Sequence, residues 1–157
     1  MKKLFTVIAI SAIAFMQQGF AQESKTVQTS PLLSNYYNLK DALVKSDLKL
    51  ASASAVDLAA NISTTDNAAV TEENRAVLLK DVNAISTGKN LKEQRLHFAA
   101  LSANMVELAK KVKLSPDPVY QEYCPMQKAS WLSNNKAIKN PYYGNAMLTC
   151  GNVKATL

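Results

Sequence analysis

The sequence NLKEQRLHFAALSANMVELAKKV, residues 90–112, decides most of what is expected of the fold. Asn90 followed by Glu93 is a capping box, which marks the start of a helix. Apolar side chains then recur every three or four residues, at Phe98, Leu101, Met105, Leu108 and Val112. This spacing places them on one face of a helix. Pro116 and Pro118 prevent the helix from continuing.

Three similar helical patterns precede this one, and each has a recognisable start. Ser30 and Pro31 form an N-cap followed by proline at the first helical position. Asp47 opens the second pattern, and Thr71 opens the third, whose first turn carries two glutamates that suit the helix dipole. Because short loops join the four helices, we predict an all-α protein, an antiparallel four-helix up-down bundle.

The composition changes after Pro118. Residues 119–157 are rich in aromatic and turn-forming residues, and they contain both cysteines of the chain. We predict an irregular, cysteine-containing C-terminal cap packed on the bundle, with a short helix over Ser133 to Ile138. The cap is too short to fold alone, so residues 30–157 are expected to form one domain.

Residues 1–21 have the pattern of a cleavable signal peptide: two lysines, an apolar run from Leu4 to Met16, and small residues at Gly19 and Ala21. A membrane-spanning helix needs roughly 20 apolar residues, so this run is too short to remain as an anchor. We therefore expect a periplasmic protein with no stable membrane insertion and a flexible leader at residues 22–29.

The chain carries a formal net charge of +6, and the excess is uneven. Residues 110–157 hold seven basic and two acidic side chains, which suits either an acidic protein partner or a solvated lysine face. Export separates the protein from nucleic acid, so no nucleic-acid partner is expected. No catalytic triad, phosphate-binding loop or carboxylate–histidine motif is visible, and we expect no enzymatic activity.

Sulfur ligands are the chemistry that the C-terminal segment offers. Cys124 lies two residues before Met126, and Met147 lies three residues before Cys150. Thiolates and thioethers are soft donors that select Cu(I) over hard cations. If the two segments meet in the folded protein, four sulfurs could surround one ion.

A disulfide is the alternative for the same two cysteines. Two cysteines in an exported protein usually pair covalently. Closing this loop of roughly 27 residues would stabilise the fold by about 3–4 kcal/mol in the chain-entropy model. A disulfide between Cys124 and Cys150 would also remove the thiolates that bind a metal, so the residues leave both interpretations open.

His97 is the only histidine, and it lies on the fourth helix beside Phe98. A lone histidine at such a position usually has a structural role. If it faces the cap, it would offer a nitrogen ligand beside the sulfurs. With Met105 or a methionine of the cap it could instead hold a b-type haem.

Four blocks of the sequence resemble a known family: RLHFAALS at 95–102, VYQEYCPM at 119–126, WLS at 131–133 and IKNPYYGNAMLTCG at 138–151. They resemble the domain of unknown function 3347. Members of that family occur as small exported proteins and are also fused to periplasmic adaptor subunits of heavy-metal efflux pumps. The resemblance implies a periplasmic role connected to copper or related metals.

Together these observations predict a periplasmic, non-enzymatic metal-binding protein that buffers Cu(I) or passes it to an efflux system. Cys124 and Cys150 would be thiolate ligands, Met126 and Met147 thioether ligands, and His97 a further donor. The partner would be a periplasmic efflux adaptor or a copper protein. The competing hypothesis is a helical protein-interaction module, stapled by a Cys124–Cys150 disulfide, that holds no metal.

Overall fold

A computed structural model describes residues 29–157, so the predicted signal peptide and nearly all of the predicted leader lie outside the described residues. The elements in chain order are α1 (Pro31–Val44), α2 (Leu48–Thr64), α3 (Glu72–Ser86), α4 (Leu91–Lys111), β1 (Tyr120–Cys124), β2 (Ala129–Ser133), a short 3-10 helix (Gly144–Ala146) and β3 (Asn152–Thr156). The prediction of an all-α class is wrong, because a three-stranded sheet follows the four helices and makes the fold mixed α and β. Within residues 29–157, no helix has the length and hydropathy to cross a membrane.

The four predicted helix starts are confirmed. The side chains of Ser30, Asp47, Thr71 and Asn90 each accept a hydrogen bond from the backbone amide three residues ahead. The Glu93 carboxylate accepts from the Lys89 backbone amide and from the Asn90 side-chain amide, so the reciprocal bond of the capping box falls one residue before the N-cap amide. These bonds satisfy amide groups that the first turn of a helix leaves without an intrahelical partner.

The helices pack in chain order, α1 against α2, α2 against α3 and α3 against α4. Loops of three to seven residues connect them, so neighbouring helices run antiparallel. Their apolar faces form the core, and Leu58, Leu78 and Leu101 are among its fully buried side chains.

The predicted irregular cap is instead an antiparallel sheet with strand order β2-β1-β3. A four-residue loop, Pro125 to Lys128, joins β1 to β2, whereas β3 returns from far along the chain to the other side of β1. The predicted short helix over Ser133 to Ile138 is also wrong: Ser133 ends β2, and its hydroxyl bonds to the backbone of Asn135. We call residues 119–157 the sheet part and residues 30–112 the helical part.

A column of aromatic rings joins the two parts. Tyr36 of α1 stacks on Phe98 of α4 with ring centroids 5.5 Å apart. Phe98 contacts Tyr142 at 5.8 Å, and Tyr142 meets Trp131 of β2 edge to face at 5.8 Å. Such pairs are worth about 0.5–1.5 kcal/mol each beyond the burial of their area. The sheet part therefore completes the core of the helical part rather than resting on its surface.

Candidate functional site

The two cysteines meet at the end of the sheet. Cys124 is the last residue of β1 and is fully buried, whereas Cys150 lies two residues before β3 and is half-buried. Their Sγ atoms are 3.5 Å apart, and both are free thiols. A disulfide bond would need about 2.05 Å, so the sulfurs are in contact without being bonded.

Asn140 holds the segment that carries Cys150. Its side-chain amide donates to the Cys150 carbonyl at 2.7 Å and accepts from the Tyr142 backbone amide at 2.8 Å. Its backbone amide donates to the Leu148 carbonyl at 2.8 Å. Since Asn140 is fully buried, these bonds are made away from water, and the turn from 140 to 150 is fixed at both ends.

Arg95 ties this turn to the helices. Its Nε donates to the Pro141 carbonyl at 2.9 Å, and its Nη2 donates to the Leu43 carbonyl at 3.1 Å and to the Ser46 hydroxyl at 2.8 Å. The guanidinium thus bonds both to the C-terminal end of α1 and to the turn before Cys150. A planar group with several fixed donors suits this bridging position better than lysine would.

Gly151 permits the close approach beside Cys150. Its φ is +151°, and a Cβ there would lie 3.0 Å from both the Trp131 ring and the Tyr123 carbonyl oxygen. Only glycine adopts this backbone conformation without strain. The residue after Cys150 is therefore fixed by the neighbouring strand and the indole ring.

The two thiols differ in acidity. Burial acts to raise the pKa of Cys124, but hydrogen bonds from the Gln127 amide, the Cys150 thiol and the Asn140 side chain outweigh it and lower that pKa overall. The Cys150 pKa is raised, first because its thiol donates to Cys124 and then because of burial. Cys124 is thus the more acidic thiol of the pair.

The backbones of both methionines reach this site. Met126 lies in the loop between β1 and β2, where its amide lowers the pKa of both cysteines and its side chain is 65% exposed. Met147 is half-buried, and its carbonyl accepts from the Cys150 amide at 3.1 Å. The two sulfur-bearing segments that the sequence singled out are therefore adjacent in the fold.

His97 faces another part of the molecule. Its Nδ1 lies 3.6 Å from Asp81 Oδ1 on α3, so the imidazole bridges two helices. Within residues 29–157, no cluster of three His, Cys, Asp or Glu side chains with metal-binding geometry exists, so His97 does not join the two cysteines. Met105 is buried in the helical core.

Two residues that act on the thiols were not singled out from the sequence. Asn140 precedes a proline and so has only the general signal of a turn-forming residue, and Gln127 has no signal of its own. The Gln127 backbone amide donates to Cys124 Sγ at 3.5 Å, a contact that any residue type except proline could make. Asn140 lies in one of the four blocks on which the family resemblance rests, which was the available hint.

The profile of one protein family, described as "Protein of unknown function (DUF3347)", matches residues 32–117, more than half of the chain. The match covers the four helices and ends before β1, so both cysteines lie beyond it. No curated protein matches the chain, and no solved structure matches it. The extent of the family match shows that this chain belongs to the DUF3347 family.

Proposed function

We propose that the protein binds a soft metal ion, Cu(I) by preference, and buffers it or passes it to an efflux system without catalysing a reaction. The observation that carries the proposal is the 3.5 Å separation of the Cys124 and Cys150 sulfurs. At a metal–sulfur bond length of about 2.3 Å, an ion bound to both would have a sulfur–metal–sulfur angle of about 100°. That bent geometry leaves room for further soft donors, and Met126 and Met147, whose backbones adjoin the two cysteines, would supply thioethers.

The acidity of the pair supports this assignment. Metal ions bind thiolates rather than thiols, and hydrogen bonds already lower the pKa of Cys124. Binding to both sulfurs would release the protons that the two thiols carry, so the affinity should rise with pH.

The graded exposure of the sulfur-bearing residues favours transfer over permanent storage. Cys124 is buried, Cys150 is half-buried and Met126 is largely exposed. An incoming partner could therefore replace the outer ligands first. The predicted export would place the site in the periplasm, where an efflux adaptor or another copper protein could supply methionine or cysteine ligands.

The test is a Cu(I) titration of the reduced chain 22–157 against a coloured Cu(I) chelator. We expect one ion per chain with sub-micromolar affinity. Cys124→Ser and Cys150→Ser should each weaken binding by roughly 100-fold or more, since each removes a thiolate from a two-thiolate site. Met105→Leu is the matched control, because this buried methionine lies in the helical core and should leave the affinity unchanged. Binding that survives the double serine variant would exclude the proposed site.

The same distance supports a second candidate, a disulfide-stapled interaction module. The two sulfurs would need to approach by roughly 1.5 Å to form a bond of ordinary length. In that case thiol titration of the protein isolated under oxidising conditions would find no free thiol. Deletion of the gene would then leave copper tolerance unchanged, whereas the metal-binding function predicts reduced tolerance.

A further inference from the structure

The two thiols differ in how far solvent reaches them. Cys124 is 0% exposed at the end of β1, whereas Cys150 is half-buried and follows the exposed Thr149. Both are free thiols, and the sequence contains no third cysteine. A reagent from solvent therefore meets Cys150 first, and Cys124 is the only other thiol that can react with the product formed there.

The backbone around the pair keeps the two sulfurs together. Tyr123, next to Cys124, pairs with Asn152, two residues after Cys150, across β1 and β3. The buried Asn140 side chain donates to the Cys150 carbonyl at 2.7 Å, and the sulfurs lie 3.5 Å apart. Groups held in contact react readily, because little entropy remains to be lost in bringing them together. A group added to Cys150 would therefore be displaced by Cys124 before another molecule arrived.

The exposed charges near the pair are positive. Residues 123–157 contain four lysines and no aspartate or glutamate, and all four lysines are exposed. Lys128 follows Gln127, whose backbone amide donates to Cys124. The Lys154 ammonium lies 5.1 Å from the centroid of the Tyr123 ring, beside the end of β1. These charges attract a negatively charged reagent toward the thiols.

We propose that this pair exchanges with small anionic disulfides, such as glutathione disulfide, and that Cys150 is the sulfur that external reagents meet. Deprotonated Cys150 attacks the external disulfide, which forms a mixed disulfide and releases one thiolate. The Cys124 thiolate then attacks Cys150 Sγ and displaces the second thiolate, which closes an internal disulfide. The protein loses two protons and two electrons, and the external disulfide gains both and becomes two thiols.

The reverse path reopens the pair. An external thiolate attacks Cys150 Sγ, Cys124 leaves as a thiolate, and a second external thiolate releases Cys150. This reversibility distinguishes an exchange site from a permanent disulfide staple. The inference does not depend on metal binding, because the two thiols and an external disulfide are the only reactants.

The first test treats the reduced protein with glutathione disulfide in the presence of a metal chelator and follows the intact mass after acid quenching. The wild-type protein should lose two hydrogen atoms and carry no lasting glutathionyl group. Cys124→Ser should accumulate one such group at Cys150. Cys150→Ser should be modified at least about tenfold more slowly than Cys124→Ser, since its remaining thiol is buried. Equal rates in the two variants would overturn the proposal.

The wild-type protein gives a readout that does not depend on the folding of any variant. Trypsin cleaves after Lys128 and Lys139, so the two cysteines fall in different peptides and any glutathionyl group can be located. Excess reduced glutathione should restore both thiols of the oxidised protein under native conditions. A protein that glutathione disulfide leaves reduced, or an internal disulfide that glutathione cannot open, would contradict the exchange site.

The second test examines the charge of the substrate. Cystamine is a positively charged disulfide, and the wild-type rate with glutathione disulfide is divided by the rate with cystamine. This ratio should fall by about threefold from about 0.02 M to about 0.5 M salt, because salt screens the lysines. Lys154→Gln should lower the ratio at low salt, whereas Lys80→Gln on α3 is the control and should not. A ratio that does not change with salt would exclude the anionic substrate class.

Discussion

The helical part and the sheet part are held together by different kinds of contact. In the helical part each helix begins at a cap whose bond spans three residues, so neighbouring sequence sets the local structure. In the sheet part the decisive bonds join distant residues: Arg95 bonds to Pro141 and the Leu132 amide bonds to Tyr36. The family match covers the first kind of structure, whereas the paired cysteines belong to the second.

The helical part is therefore the scaffold, and the sheet part carries the candidate site. In the helical part, the side chains of Phe98, Arg95 and Tyr36 make the contacts with the sheet part. The sheet part supplies the thiols, whose sulfurs lie 3.5 Å apart, and Arg95 bonds the turn before Cys150 to the helices. The sharpest test is therefore to remove one part and ask whether the other remains folded.

A chain that ends at Pro118 should show the largest effect. It retains all four helices but loses the Tyr142 and Trp131 rings that continue the aromatic column from Phe98. We expect partial helicity and loss of a cooperative thermal transition, measured by circular dichroism against the chain 22–157. A cooperative transition at the same temperature would show that the helical part is an independent domain.

Glu122→Gln should change how stability depends on pH. Burial, partly offset by Lys40 and other neighbours, raises the pKa of Glu122 from 4.5 to about 7. A raised carboxyl pKa means that the fold is favoured by protonation, so this stability is complete below pH 4.5 and is lost as the pH rises through 7. The loss amounts to at most about 3 kcal/mol.

Urea unfolding between pH 5 and pH 8 measures this effect. The wild-type protein should become less stable across the range, and Glu122→Gln should flatten the profile. Glu107→Gln is the control, because the Lys110 side chain lowers the pKa of exposed Glu107 and moves its titration below this range. Identical profiles for wild type and Glu122→Gln would show that the carboxyl is not the titrating group.

Asn140→Ala should weaken the sheet part and the site together. The change leaves the Cys150 carbonyl and the Tyr142 amide without their partner, at a cost of about 2 kcal/mol. Cu(I) affinity should fall with stability, because the turn that positions Cys150 loosens. Asn145→Ala is the control at an exposed position of the same turn. Lowered stability with unchanged Cu(I) affinity would separate the fold of this turn from the site.

Met126→Leu should give the smallest effect, confined to the site. The side chain is 65% exposed, so the unfolding midpoint should not move. Loss of one outer thioether should weaken Cu(I) binding by about tenfold in the chelator competition. An affinity equal to that of the wild type would restrict the proposed ligands to the two cysteines and Met147.

The helix starts could be predicted because capping is local. The side chains of Ser30 and Asn90 each bond to the amide three residues ahead, so four consecutive residues are enough to recognise the cap. The strands could not. Each has five residues, too few for a clear alternation, and the loop from Pro125 to Lys128 lacks the Asn-Gly or Gly that marks many hairpins. On its other side β1 pairs with β3, which is so distant along the chain that no local sequence pattern indicates the pairing.

The site was predictable only in part. Spacing drew attention to Cys124 and Cys150, and the fold brings their sulfurs into contact. The position of His97 depended on which face of α4 meets which neighbour, and the imidazole turned out to face α3. The burial of Glu122 could not be predicted, because a glutamate between polar and aromatic residues is normally exposed. In the fold Glu122 lies opposite Trp131 on the neighbouring strand and is fully buried.

The fork of bonds from Arg95 has a mechanical consequence. One guanidinium bonds to the C-terminal end of α1 and to the turn before Cys150. A movement of either segment is therefore transmitted to the other. Displacing the turn far enough to separate the thiols would pull on the α1–α2 corner. A spectroscopic label at that corner could therefore report, from a distance, each opening of the sulfur pair.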